Sequence, residues 1–120
     1  PLYQQIQQAM EEDALFKDPG LTLGRVARAV ASNEKYVSLA IRQVTEMKFN
    51  DYINMQRIQF AERLILEKQG HISPAKVMEQ CGFNSKSTFY TAFKSFTDLT
   101  PGQFIRMVKE KKATISIVQG

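Results

Sequence analysis

Apolar residues recur along this chain at the spacing of a helix, stretch after stretch, and before the last eight residues they never alternate for long enough to suggest a strand. Leu2, Ile6, Ala9 and Met10 form one stripe of a first helix, from Pro1 to about Glu12, and D-P-G at 18–20 stops whatever precedes it. Thr22 is placed to cap a short second helix with Leu23, Val26, Ala27 and Val30 inward. Asn33 is placed to cap a third, Glu34 to about Thr45, with Val37, Ala40, Ile41 and Val44 inward. A long fourth helix, Asn50 to about Glu67, buries Ile53, Ile58, Ala61, Leu64 and Ile65, and its length is roughly 27 Å. Ser73 followed by Pro74 opens a short fifth helix with Val77, Met78 and Cys81 inward. Ser85 caps a sixth, in which Phe89, Phe93 and Phe96 share one stripe. Thr100-Pro101-Gly102-Gln103 is a capping box with Pro at the first helical position, opening a last helix to about Lys112. Residues 113–120 are read as coil, with Ile115, Ile117 and Val118 suited to a packed extended end.

The fold class is therefore all-α, with about seven helices, and the polar faces show how they are grouped. Opposite its apolar stripe the third helix presents Lys35, Ser38, Leu39 and Arg42, and the sixth presents Lys86, Ser87, Tyr90, Thr91 and Lys94. The two stretches repeat. Leu23, Val26, Ala27 and Val30 shift by 51 residues onto Pro74, Val77, Met78 and Cys81, while Val37, Ile41 and Val44 shift by 52 onto Phe89, Phe93 and Phe96. The extra residue lies in the turn, where A-S-N is matched by G-F-N-S. Two helix-turn-helix units, residues 21–48 and 70–112, are thus expected on either side of a linker helix at 49–69, with a lead-in at 1–20 and a tail at 113–120.

Charge sharpens this picture. The 120 residues carry a net +4, but residues 1–20 hold one Lys and four acids, so the rest carries +7, and a basic surplus in a small domain favours a polyanionic partner. An enzyme is not supported: Glu11, Glu12 and Asp13 are consecutive rather than facing across a cleft, His71 and Cys81 are each the sole residue of their type, and no Gly-rich phosphate loop exists. One cysteine excludes an internal disulfide and most cysteine-based metal sites, so no cofactor and no metal are expected and a reducing cytoplasm is the simplest setting. No apolar run reaches the length of a membrane span. The chain opens on Pro1 rather than Met, as expected of a piece of a longer protein.

The stretches L-T-L-G-R-V-A-R-A-V, F-N-D-Y-I-N-M-Q-R-I-Q-F-A-E-R-L-I and C-G-F-N-S-K-S-T-F-Y-T-A-F-K-S-F-T-D-L-T-P-G-Q-F resemble the DNA-binding domain of the AraC/XylS family of bacterial transcription regulators, over about Leu21 to Arg106. Departures from the family pattern are Asp98, Ala31 and Glu46 where glycine is usual, Ile105 where arginine is common, and Leu39 where a polar or basic side chain is frequent. The resemblance implies sequence-specific binding of double-stranded DNA, with two recognition helices in successive major grooves. Lys35, Ser38, Leu39, Arg42, Lys86, Ser87, Tyr90, Thr91 and Lys94 inherit the contact positions. It also implies an N-terminal sensor or dimerisation domain outside this chain, and RNA polymerase as a further partner. The alternative reading is a helical protein-interaction module docking on a polymerase or sensor subunit through the exposed Leu39 face.

Overall fold

The computed structural model of the chain describes residues 1–119, with side chains through residue 111. In order, the helices are α1 (Leu2–Glu12), α2 (Leu23–Ala29), α3 (Glu34–Thr45), α4 (Phe49–Glu67), α5 (Pro74–Cys81), α6 (Lys86–Thr97) and α7 (Pro101–Gln119), with a 3-10 turn at Leu15–Lys17 between the first two. No strand occurs among the described residues. The chain divides into two compact units, Pro1–Gln56 and the part from Arg57 onward.

Caps define the starts. The side chains of Thr22, Asn33, Ser73 and Ser85 accept from the amides of Arg25, Tyr36, Lys76 and Thr88, at 3.2, 2.9, 3.2 and 3.3 Å. At α7 the box closes both ways: the Thr100 amide donates to Gln103 Oε1 at 2.9 Å, and the Gln103 amide to Thr100 Oγ1 at 3.2 Å.

In the first unit α1 and α2 both pack on α3, burying Ile6, Met10, Val26, Val37 and Ile41 around one core with Phe16. Tyr52 from the start of α4 joins them, edge-on to Tyr3 with ring centroids 6.1 Å apart. Its hydroxyl is buried with no hydrogen bond, so burial, with Tyr3 beside it, pushes the phenol pKa well above its usual range.

The second unit is built on a run of rings, Phe83, Phe89, Phe93 and Phe104, each tilted or edge-on to the next at 5.3, 5.9 and 5.5 Å. Ile58, Ala61, Ile65, Val77, Cys81, Ala92 and Ile105 complete this core. Arg57, only 9% exposed, lays its guanidinium over the Phe83 ring at 5.5 Å. Cys81 is fully buried, and burial pushes its thiol up to about 12 despite the Phe83 amide and Arg57 nearby. It is a small core residue. Gly70, at φ +81, follows α4 where an added Cβ would stand 2.6 Å from Lys109 Cγ and 3.0 Å from the Ile105 carbonyl.

Several expectations are corrected. Val44 and Phe96, expected inward, are 59% and 39% exposed. Both stand in the last turn of a twelve-residue helix, beyond the buried Val37 and Ile41 of α3 and Phe89 and Phe93 of α6. Met78 is only partly buried, and Ala40 is at the edge of the core. The stretch after α1 holds a 3-10 turn, with Phe16 buried, that periodicity over three residues could not show. The last helix does not end near Lys112 and the tail is not coil: α7 continues to Gln119, because neither Gly nor Pro interrupts residues 103–119. Whether side chains of that tail pack lies outside the described residues.

Candidate nucleic-acid interface

The turns that precede α3 and α6 are built alike. After α2, Ala31 takes φ 55° and the Ser32 amide reaches back to the Ala27 carbonyl at 2.8 Å; after α5, Gly82 takes φ 95° and the Phe83 amide reaches the Met78 carbonyl at 3.3 Å. These reverse bonds use carbonyls left open at a helix end and redirect the chain. A side-chain cap, Asn33 or Ser85, then opens the next helix. The repeat read in the sequence is thus a repeat of two matching joints, each holding the helix that follows it.

On α3 the structure brings Lys35, Ser38, Leu39 and Arg42 together along one shallow groove of about 360 Å³, and adds Lys48 from the turn beyond the helix. Lys35, Arg42 and Lys48 are exposed and make no ion pair with another described residue. Leu39 is 48% exposed in their midst. The groove therefore offers positive charge around one apolar side chain, with the Arg42 guanidinium and the Ser38 hydroxyl as its directional hydrogen-bonding groups. Tyr36 is exposed on the same helix.

On α6, Lys86, Tyr90 and Lys94 are held in place by their neighbours. Lys86 Nζ lies over the Tyr90 ring at 5.5 Å from its centroid, and Tyr90, half-buried, stands edge-on against Phe89 at 5.6 Å. Lys94 Nζ donates to the Asp98 carbonyl at 2.9 Å, so this lysine also closes the end of its own helix. Ser87 and Thr91 are exposed one turn apart. No acid lies on α6. The outward face of α6 thus carries hydroxyl and phenol groups beside its ammoniums, and that of α3 carries cations around one apolar side chain.

Sequence reasoning finds every residue of the α3 groove except Lys48. Its position lies outside the helix and so outside the reach of helical periodicity, and only the 52-residue shift, which pairs it with Thr100, singles it out. Among the described residues no group of His, Cys, Asp or Glu is arranged to hold a metal ion, and no helix is long and apolar enough to cross a membrane.

Comparison with known proteins agrees with this geometry. A family model described as a helix-turn-helix domain matches residues 26–107. The melibiose operon regulatory protein of Escherichia coli K12 is 26% identical over 97 residues, 81% of this chain and 32% of that protein. An HTH-type transcriptional regulator in the cgkA 5′ region of Pseudoalteromonas carrageenovora is 31% identical over 95 residues, 79% of this chain and 54% of the relative. This chain thus spans about a third of the first relative's length and about half of the second's. Among solved structures, the C-terminal domain of the two-component response regulator yesN from Fusobacterium nucleatum is similar with a TM-score of 0.71 at 26% identity, over 86% of this chain and 96% of that one.

Proposed function

Because this chain belongs to the AraC-type helix-turn-helix family, we propose that it binds double-stranded DNA sequence-specifically as part of a bacterial transcription regulator, with α3 and α6 entering successive major grooves. The observation that carries the reading is the pair of matching joints, each followed by a reading helix whose outward side is basic. Rigid presentation is the mechanism: caps and turns fix each helix on its own core, phosphates set the register, and base edges set the choice of sequence.

The two modules divide the work. Lys86, Ser87, Tyr90 and Thr91 supply hydrogen bonds and a ring-supported ammonium, so α6 discriminates bases; Lys94 adds charge at the helix end. Lys35 and Arg42 hold phosphates while Leu39 meets a thymine methyl and Ser38 a backbone oxygen or base edge, so α3 contributes affinity more than choice. Such a regulator works in the cytoplasm beside RNA polymerase, with effector sensing left to another part of the protein.

A salt titration of duplex binding tests this. If six or more phosphates are neutralised, affinity falls by a few powers of ten between about 50 and 200 mM salt. A flat response would instead indicate that the α3 face docks on a protein.

A further inference from the structure

The two reading helices end in the same turn. Thr45 Oγ1 donates to the Ile41 carbonyl at 2.6 Å and accepts from the Met47 amide at 3.1 Å; Thr97 Oγ1 donates to the Phe93 carbonyl at 2.7 Å and accepts from the Leu99 amide at 3.1 Å. Between them Glu46 and Asp98 both take the left-handed conformation. The register of the repeat therefore runs on through the turn to the next residue, where the two modules part: Lys48 in the first and Thr100 in the second.

Both are N-cap residues. The Lys48 carbonyl accepts from the Tyr52 amide and the Thr100 carbonyl from the Phe104 amide, each at 3.0 Å. Thr100 also caps with its side chain, in reciprocal exchange with Gln103. Lys48 cannot, since an ammonium donates and never accepts, and it places positive charge at the positive end of a 19-residue helix. Asp51, the counterpart of Gln103, makes no ion pair with it. Both effects oppose folding, and a residue that breaks a local rule its structural twin obeys is expected at a functional position.

The place of Lys48 says what it does. It closes the groove beside Leu39 together with Lys35 and Arg42, three exposed cations with no acid among the lining residues. We infer that Lys48 is a DNA-backbone residue of the first module, gripping a phosphate beside those held by Lys35 and Arg42. The inference rests on the DNA-binding reading and adds to it a contact from outside the reading helix. Held against a phosphate rather than a base edge, the Lys48 ammonium contributes charge that is indifferent to sequence.

The variant Lys48→Thr tests this because it installs the twin's cap while removing the charge. Its melting temperature is expected to rise by a few degrees. Its affinity for a mixed-sequence duplex of about three helical turns should fall roughly 3- to 10-fold near 0.15 M salt, with the slope of log affinity against log salt reduced by about 0.9. Lys48→Arg should keep the slope. A Lys48→Thr protein that melts higher yet keeps the wild-type affinity and slope overturns the inference, and so does one that melts lower, which would make Lys48 a structural residue. A wild-type chain whose binding ignores salt overturns the DNA-binding reading itself, and the inference with it.

Discussion

Glu46 and Asp98 hold the same left-handed conformation, at φ 62° and 64°, as the C-caps of α3 and α6. Their amides close the last turn on the Arg42 and Lys94 carbonyls, each at 2.9 Å. Glycine adopts this conformation without a Cβ penalty, and Asp tolerates it better than Glu. Glu46→Gly should therefore stabilise the protein by about 1 kcal/mol and Asp98→Gly by about half as much, the two adding because they lie in separate units. Thermal melts of the single and double variants check this, and a loss of stability at either position would contradict it.

Gly70 makes the opposite case. Its φ is +81, and a methyl group added there would stand 2.6 Å from Lys109 Cγ and 3.0 Å from the Ile105 carbonyl, which leaves no room for a side chain. Gly70→Ala should cost about 2 to 4 kcal/mol by urea unfolding, from backbone strain and overpacking together.

Phe93 and Phe96 separate core from surface within one helix. Phe93→Ala should open a cavity costing about 3 to 5 kcal/mol, whereas Phe96→Ala, at a position 39% exposed, should cost about 1 kcal/mol or less. Equal costs would contradict the facing found for α6.

Cys81 gives a pH dependence. Burial raises its thiol from an ordinary 9.0 to about 12, so below about pH 8 both folded and unfolded chains hold the proton and the group is silent. As pH climbs past 9 the unfolded chain releases the proton while the folded chain keeps it, and this contribution to stability is lost by up to about 1.4 kcal/mol per pH unit. Cys81→Ala should lose less stability than the wild-type chain between about pH 9 and 11. Parallel curves would show that the thiol ionises freely in the fold.

Much of this is legible in the sequence because caps and periodicity are local signals. Thr22, Asn33, Ser73, Ser85 and the Thr100–Gln103 box all act at helix starts, and the stripes through Val37, Ile41, Phe89 and Phe93 are buried. Periodicity gives the side of a helix but not where along it burial stops, which is why it misplaces Val44 and Phe96 in the last turns of α3 and α6. Nor can it find Tyr52 and Arg57, whose burial depends on Tyr3 and Phe83, far along the chain. On the reading faces it gives residue identity but not engagement: that Lys86 rests on Tyr90, that Lys94 is tied to Asp98 and that Lys48 joins the α3 groove are facts of side-chain geometry.

The claim that two modules read two grooves is tested most directly by changing the spacing of the DNA. On a site selected from random sequence, the account predicts two protected major-groove patches about 10 base pairs apart on one face. Inserting about five base pairs between them turns one patch to the far side of the duplex. Affinity should then drop to that of a single module, with one patch left unprotected. Undiminished affinity for the lengthened site, with both patches still protected, would contradict the account.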